Sequence, residues 1–122
     1  PDMQAAGGGA IVNFSSVSWL VGMGGMAVYT ASKSAMLGLS RSLARDFGPF
    51  NIRVNSVAPG WVLTERQRTL WVTPESDAKR QEAQCIKRWL VPDDIANFVL
   101  FLTSDGASAC TAQHYVVDGG WA

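Results

Sequence analysis

Residues 10–47 read AIVNFSSVSWLVGMGGMAVYTASKSAMLGLSRSLARDF. The first five of them, Ala10–Phe14, include two β-branched residues and lie between glycines and serines, which is typical of a short buried strand. From about Ala27 to Phe47 the chain is rich in helix formers, has no proline and is followed by Gly48-Pro49. The stretch therefore predicts a strand, a loop and a long helix. The buried stripe of this helix is expected to comprise Leu39, Leu43 and Phe47.

Three residues of this stretch form the pattern Ser-x12-Tyr-x3-Lys: Ser16, Tyr29 and Lys33. Tyr29 and Lys33 are one helical turn apart and lie on the same side of the predicted helix. The pKa of a free phenol is about 10, and a nearby lysine ammonium favours the phenolate. Ser16 follows the carboxyl end of the predicted strand, the edge at which ligands bind in open α/β sheets. Tyr29 is therefore a candidate general base, although a solvated Tyr-Lys pair and a capping serine are the simpler interpretations of each residue alone.

A second segment begins after the helix, where Ile52–Val57 alternates in the manner of a strand and leads into the run APGWVLT at residues 58–64. With Ser16, Tyr29 and Lys33, the chain resembles the short-chain dehydrogenase/reductase family. That family's pattern also includes Asn-x-x-x-Pro-Gly-x-x-x-Thr, here Asn55 to Thr64, and Val-Asp-Gly-Gly, here residues 117–120. The resemblance runs from about Gly9 to the carboxyl terminus, and residues 66–71 and 84–88 look similar to sugar and polyol dehydrogenases.

This resemblance implies a fold, a reaction and a set of site residues. The fold is the carboxyl-terminal half of a Rossmann-like doubly wound parallel α/β sheet, three strands with helices, in a partial single domain over residues 1–122. The reaction is hydride transfer between NAD or NADP and a secondary alcohol or carbonyl, such as a sugar or polyol. Tyr29 would exchange the proton, Ser16 would hydrogen-bond the reacting oxygen and Lys33 would hold the nicotinamide ribose. Further implied contacts are Pro59, Gly60, Val62 and Thr64 with the nicotinamide, and Ser18, Trp61 and Trp71 with the substrate.

Part of the family's machinery does not occur in this sequence: the glycine-rich phosphate turn after the first strand, and the residue that reads the ribose. Gly7-Gly8-Gly9 precedes a strand and is interpreted as a flexible linker, and residues 2–6 as the tail of a preceding helix. We therefore expect the carboxyl half of a longer enzyme, inactive without its amino-terminal dinucleotide-binding half. Two other hypotheses remain open: a non-catalytic fragment that folds or oligomerises without cofactor, and a sugar-nucleotide epimerase of the family's extended group.

The segment between Leu63 and Leu90 is the least determined part of the sequence. Thr73-Pro74-Glu75 combines a hydroxyl cap, a proline and an acid, and predicts a helix that runs towards Trp89. By resemblance this segment closes over the substrate, but solvated charges and core aromatic residues explain its composition equally well. The candidate contacts are Glu65, Arg66, Arg68, Trp71 and Trp89.

The last elements are a helix that begins at Pro92 and ends at Asp105-Gly106, and a strand over His114–Val117. The apolar stripe of the helix is expected to comprise Ile95, Phe98, Val99 and Leu102. Before the strand, Ala112 replaces a glycine that is usual in the family, and we expect little effect. His114 is interpreted as a structural residue.

Composition limits the partners. Acidic and basic residues balance at ten each, which does not favour nucleic acid or a membrane surface as a partner. No apolar run approaches the length that spans a bilayer. Cys85 and Cys110 fit neither a metal site nor a disulfide framework, so a cytoplasmic location is expected.

The predicted strand around Ile11 has no predicted neighbour on one side, which implies a companion amino-terminal segment or self-association. In the family, the helix that carries Tyr29 commonly forms subunit interfaces, so a homo-oligomer is expected. Small residues on that helix would allow a second helix to approach closely: Ala31, Ser34, Ala35, Gly38 and Ser42.

Overall fold

The sheet consists of three parallel strands, and the computed structural model describes residues 1–122. The strands are β1 (Gly9–Phe14), β2 (Ile52–Pro59) and β3 (His114–Val117). The helices are α1 (Asp2–Ala5), α2 (Ala27–Phe47), α3 (Glu65–Leu70), α4 (Pro74–Ala83) and α5 (Pro92–Thr103). Short 3-10 turns cover Val17–Trp19, Gly48–Phe50 and Asp105–Ala107. The bounds of α2, the position of α5 and all three strands follow the sequence prediction.

The strands are hydrogen-bonded in the order β1-β2-β3. β1 pairs with β2 from Gly9↔Ile52 to Phe14↔Val57, and β2 pairs with β3 from Ser56↔His114 onward. The central strand β2 is buried along nearly its whole length because it has a neighbour on each side. β1 lies at one edge of the sheet, as the sequence predicted.

Helices cover both faces of the sheet. On one face the small residues Ser40 and Ala44 of α2 are buried, and Ala44 packs with Ile52 and Val54. On the other face Ile95 and Leu102 of α5 pack with Val57. Each fully buried aliphatic side chain of this kind contributes roughly 1.5–3 kcal/mol to folding. The expected stripe of α5 is confirmed, and α/β layering around a parallel sheet is the predicted fold class.

Leu39 corrects the expected stripe of α2, because its side chain is 43% exposed. At a spacing of 3.6 residues per turn, the buried positions Ser40 and Ala44 place Leu39 on the outward side of the helix. Leu43 and Phe47 do pack against the core, as predicted. The apolar residue at position 39 therefore belongs to the surface of α2.

The segment after Leu63 also differs from the prediction. The helix predicted to reach Trp89 ends at Ala83, and the next residue, Gln84, has an extended backbone. A separate helix, α3, begins after Thr64, whose side chain accepts a hydrogen bond from the Gln67 backbone N at 3.2 Å. The order Thr-x-x-Gln is a known capping pattern, so the sequence did contain a signal for α3.

The glycines at positions 7 and 8 form a turn ahead of β1, and Gly9 is the first residue of that strand, so the predicted linker does not include Gly9. Gly7 has φ +81°, and its carbonyl accepts a hydrogen bond from the Asn51 side chain at 3.3 Å. A Cβ on Gly8 would lie 2.8 Å from the Asn51 carbonyl oxygen, and Gly9 already belongs to β1. The turn joins β1 to the short α1, the helix expected from residues 2–6.

Ala112 occupies the left-handed region at φ +59°, which explains why a glycine suits this position. Its methyl group packs against the cluster of Ala44, Ile52 and Val54. Packing of the methyl group therefore opposes the backbone strain, and the expectation of little net effect stays a prediction. Among the helices, none combines the length and the apolar character needed to span a membrane.

Candidate active site

A cleft of about 1230 Å³ lies at the carboxyl edge of the sheet, where β1 and β2 end. Fourteen of its 23 lining residues are hydrophobic, so polar groups are few and stand out against an apolar wall. Of the site residues that the family pattern implies, all but one line it: Ser16, Ser18, Tyr29, Pro59, Gly60, Trp61, Val62, Thr64 and Trp71. The exception is Lys33. The sequence pattern therefore located the cleft from residues that are up to 55 positions apart.

Tyr29 and Lys33 lie in the first two turns of α2. The Tyr29 side chain is 47% exposed, and the Lys33 Nζ is 5.7 Å from the centroid of its ring. The same Nζ donates a hydrogen bond to the carbonyl oxygen of Phe14 at 3.0 Å. The ammonium thus lies between α2 and the end of β1, beside the phenol, as the spacing predicted.

Two adjacent serines at the end of β1 have different environments. Ser15 is buried; its hydroxyl donates to the Lys33 carbonyl at 2.8 Å and accepts from Trp19 Nε1 at 3.0 Å. Ser16 Oγ accepts a hydrogen bond from the Ser18 backbone N at 3.2 Å, which leaves its own O–H free to donate. Ser16 is therefore the serine that can hydrogen-bond a ligand in the cleft, and Ser15 ties α2 to β1.

The segment Pro59–Thr64, which forms the other side of the cleft, is held at both ends. The Gly60 backbone N donates to the Val117 carbonyl at 3.0 Å, and the Leu63 backbone N donates to the Leu90 carbonyl at 2.8 Å. A Cβ on Gly60 would lie 2.7 Å from the Asp118 Cα, so only glycine fits here. The backbone of this segment therefore has one fixed course along the cleft.

Tryptophan side chains form one wall of the cleft. Trp61 packs edge-on against Trp89 at 5.2 Å between ring centroids and at a tilt against Trp121 at 6.3 Å. Its Nε1 donates to Gln67 Oε1 at 2.7 Å, which fixes the orientation of the ring. Trp61, Trp71 and Trp121 line the cleft, whereas the candidate contact Trp89 lies behind Trp61 and does not.

Arg80 supports this wall from outside the cleft. It is only 1% exposed, and its guanidinium lies 4.3 Å above the Trp89 ring. It also bonds the Asp77 carboxylate at 2.7 Å and donates to the carbonyl oxygens of Lys87 and Arg88. A buried guanidinium is stable only when its donors are satisfied in this way, so the segment that follows α4 is fixed by polar contacts.

Of the other charged candidates, Arg66 lines the cleft, whereas Glu65 and Arg68 are exposed residues of α3 that do not. The Nδ1 of His114 is 2.6 Å from the Oγ of Ser56 on β2, and its ring contacts Trp19. Burial and the nearby Arg41 charge lower the pKa of His114, which favours the neutral imidazole. These contacts support the structural interpretation of His114.

Sequence reasoning missed Trp121, Ser15 and Arg80. Trp121 directly follows the Val-Asp-Gly-Gly motif. Its position next to this family motif was the one available sign in the sequence that it belongs to the site. No local pattern distinguishes Ser15 from an ordinary turn serine or Arg80 from a solvated helix arginine, because their burial depends on contacts far apart in the sequence. A smaller cavity of about 270 Å³ lies at the opposite, amino-terminal edge of the sheet and contains none of the predicted site residues.

Parallel strands with helices on both faces, and a cleft at the carboxyl edge, define a Rossmann-like α/β protein. A family model described as enoyl-(acyl carrier protein) reductase matches residues 1–122. With the relatives below, this match shows that the chain belongs to the short-chain dehydrogenase/reductase family.

Two curated relatives align with nearly the whole chain. The probable galactose dehydrogenase GalD of Rhizobium meliloti is 52% identical over 120 residues, which are 98% of this chain and 47% of that protein. The D-xylose 1-dehydrogenase of Caulobacter vibrioides is 47% identical over 121 residues, which are 99% of this chain and 48% of that protein. The chain therefore spans about half the length of the curated relatives that it matches.

Solved structures agree with this assignment. A 7α-hydroxysteroid dehydrogenase in complex with NADH and 7-oxo glycochenodeoxycholic acid matches with a TM-score of 0.93 at 40% identity, over 99% of this chain and 47% of that one. Other matching structures are complexes with NADH or with NADPH. The predicted fold, part of a Rossmann-like sheet, is confirmed.

Proposed function

We propose that this chain supplies the catalytic and substrate-binding half of an NAD- or NADP-dependent dehydrogenase that acts on a secondary alcohol or carbonyl, in particular a sugar or polyol. The observation that supports this most is that one cleft gathers Ser16, Tyr29 and the segment Pro59–Thr64. These residues come from three separate elements, and the motif that links them is the family's own. Galactose and xylose dehydrogenases among the relatives support the sugar class.

In this proposal Tyr29 is the general acid and base. During oxidation of an alcohol, the deprotonated oxygen of Tyr29 accepts the proton of the substrate hydroxyl. At the same time the free O–H of Ser16 donates a hydrogen bond to the substrate oxygen. During reduction, the proton returns from Tyr29 to the carbonyl oxygen. Lys33 donates a hydrogen bond to the Phe14 carbonyl at the rim of the cleft, and its Nζ lies 5.7 Å from the centroid of the Tyr29 ring.

The polar groups of the cleft suit a nicotinamide cofactor, which accepts or donates the hydride when bound. Pro59, Gly60, Val62 and Thr64 would lie along it, because their segment forms the wall beside Tyr29 and its course is fixed by hydrogen bonds at both ends. Thr64 would contribute a hydroxyl, and Lys33 would contribute the ammonium for the ribose. Neither the phosphate turn nor the ribose-reading residue that distinguishes NAD from NADP is in this sequence, so activity is proposed only together with an amino-terminal half.

Further parts of the proposal concern partners and location. Ser18 and Trp71 are proposed substrate contacts, since both line the cleft. We propose a homo-oligomer that associates through α2, and a cytoplasmic location because both cysteines are free thiols. The alternative is a fragment that folds or self-associates without binding cofactor.

The experiment that decides between these functions joins this chain behind the amino-terminal half of the galactose dehydrogenase relative, at the boundary that the alignment defines. Reduction of NAD and of NADP is followed at 340 nm with D-galactose and D-xylose, beside the 122-residue chain alone. We expect turnover only from the joined polypeptide. Turnover with neither sugar nor any other secondary alcohol would favour the non-catalytic alternative.

The role of Tyr29 is tested in the same polypeptide. Tyr29→Phe should lower kcat by about 10²- to 10⁴-fold, the usual contribution of general acid-base catalysis, while NADH still binds. Lys33→Ala should weaken both activity and cofactor binding. The matched control is Tyr115→Phe, because Tyr115 is the other tyrosine and packs against Phe98 in the core. Full activity in Tyr29→Phe would exclude Tyr29 as the base.

A further inference from the structure

Residues Asp118–Ala122, the tail that follows β3, are held by hydrogen bonds on both sides of Trp121. The Asp118 carboxylate is buried and accepts hydrogen bonds from the backbone N of Gly120 and of Ala122, each at 2.7 Å. Both oxygens of one carboxylate thus hold the two residues that flank Trp121. The position of that indole is therefore set by the chain on both sides of it.

The two glycines dock the same tail onto the segment after α4. Gly119 and Gly120 have φ +71° and +79°, and a Cβ on Gly120 would lie 2.8 Å from the Cβ of Cys85. Their carbonyl oxygens accept hydrogen bonds from the backbone N of Ile86 at 2.9 Å and of Cys85 at 3.0 Å. The tail cannot move without breaking these bonds, so Trp121 stays beside Trp61.

Trp121 differs from Trp61 in its polar atom. The Trp61 Nε1 already donates to Gln67, whereas the Trp121 Nε1 makes no hydrogen bond within the chain and is not among the buried polar atoms that lack a partner. An indole that lines a cleft with a free N–H offers an apolar face and one hydrogen-bond donor together. A sugar ring matches this combination, because its C–H faces are apolar and its rim carries hydroxyl acceptors.

We infer that Trp121 contacts the substrate and, with Trp61, forms an aromatic wall that selects a polyhydroxylated ring, and that Asp118 is the positioning residue that holds this wall. The inference rests on the proposed function, since it names the residues that select the substrate of the same site. A purely structural Trp121 would only cover Trp61. It would not change ligand binding in a folded protein.

Two measurements separate these roles. In the joined polypeptide, Trp121→Ala should lower kcat/KM for D-galactose by about tenfold, mainly through KM, with the KM for the nicotinamide cofactor unchanged. Trp121→Phe keeps the apolar face and should restore most of the loss. Asp118→Asn should raise the same KM. Phe50→Ala, an exposed aromatic residue that does not line the cleft, is the control that should change nothing.

The second measurement needs no turnover. D-galactose is titrated into the 122-residue chain while tryptophan emission is recorded, and we expect a saturable change that Trp121→Ala abolishes and Phe50→Ala leaves intact. If the joined polypeptide oxidises no alcohol but this change in emission is seen, the proposed function is wrong, whereas the inference that Trp121 contacts the sugar is supported. Unchanged kinetics in Trp121→Ala, or no saturable change in the wild-type chain, would overturn the inference. So would turnover of a bile salt while sugars are inert.

Discussion

Ser15 and Ser16 are neighbours at the end of β1, yet their hydroxyls have opposite surroundings. Ser15 has a donor and an acceptor inside the protein, Trp19 Nε1 and the Lys33 carbonyl. Ser16 has one backbone donor, and its O–H faces no protein acceptor. The difference follows from the alternation of side chains as the strand runs into a 3-10 turn.

This difference gives a prediction that separates stability from activity. Ser15→Ala should lower the free energy of unfolding by about 1–3 kcal/mol, because the buried Trp19 N–H loses its acceptor. Ser16→Ala should leave stability nearly unchanged but lower kcat in the joined polypeptide, by less than Tyr29→Phe does. Urea unfolding and steady-state kinetics of both variants check this. The assignment fails if the two serines exchange these effects.

Individual site residues were predictable where the sequence spacing alone brings reactive side chains together. Ser16, Tyr29 and Lys33 were found because a helical turn and a strand end fix their relations before any tertiary contact is known. Trp121 was not found, because a tryptophan after two glycines has no periodicity. Its place in the cleft depends on Asp118 and on a segment more than thirty positions away in the chain.

The segment from α4 to α5 shows the limits of prediction for whole elements. The cap at Thr73 predicted the start of α4 correctly, but helix propensity did not predict its end at Ala83. The helix stops there because the Arg80 and Gln84 side chains take backbone carbonyls of residues 86–88 as partners, which requires an extended chain. Tertiary hydrogen bonds overrule local preference at this point.

Arg80 should therefore be essential for the order of this segment. Arg80→Met leaves the Lys87 carbonyl without its donor and the Asp77 carboxylate without its ion-pair partner, and should lower the free energy of unfolding by roughly 2–4 kcal/mol. Arg80→Lys should rescue little, since an ammonium cannot reproduce the planar fork over Trp89. Arg88→Met is the matched control, because its bonds to Asp94 are exposed, and it should shift the Tm far less. Equal shifts would contradict this account.

Asp94 gives the start of α5 a pH dependence. Hydrogen bonds from Arg88 and from the Val91 backbone N lower the pKa of Asp94 from 3.8 to about 2. Because the pKa is lower in the folded chain, ionised Asp94 stabilises the fold above about pH 4, and this contribution disappears as the pH falls through about 2.

The measurement compares urea midpoints of the wild-type chain and Asp94→Asn between pH 5 and pH 2. The difference between them should be largest near pH 5 and shrink towards pH 2. Asp93→Asn removes a neighbouring carboxylate that has no ion pair, and it is the control for the loss of one charge at the start of α5. A wild-type advantage over Asp94→Asn that persists unchanged at pH 2 would show that Asp94 does not act through its charge.

At the scale of the whole molecule, many large apolar side chains lie on the surface. The free edge of β1 and the outward side of α2 both remain uncovered, and Val28 on α2 is 86% exposed. Exposed positions on this side of α2 recur at helical spacing: Val28, Ala31, Ala35, Leu39 and Ser42. A contiguous apolar stripe of this kind usually marks an interface.

We predict that the chain associates through this stripe. Leu39→Glu places a charge at its centre and should reduce the sedimenting species to the monomer mass of 13.1 kDa. Leu70→Glu, at an exposed leucine of α3 outside the stripe, should leave the association unchanged. Analytical ultracentrifugation over a range of concentrations decides it. A Leu39→Glu chain that sediments like the wild type would place the contact elsewhere.

The parallel register of the sheet also sets an order of events in folding. α2 is local and can form within microseconds, whereas Ser56 and His114, which meet across β2 and β3, are 58 positions apart in the chain. During synthesis, β1, α2 and β2 leave the ribosome before β3 exists. The serine, tyrosine and lysine can therefore meet early, while Trp61 and Trp121 come together only after residues 118–122 have been synthesised.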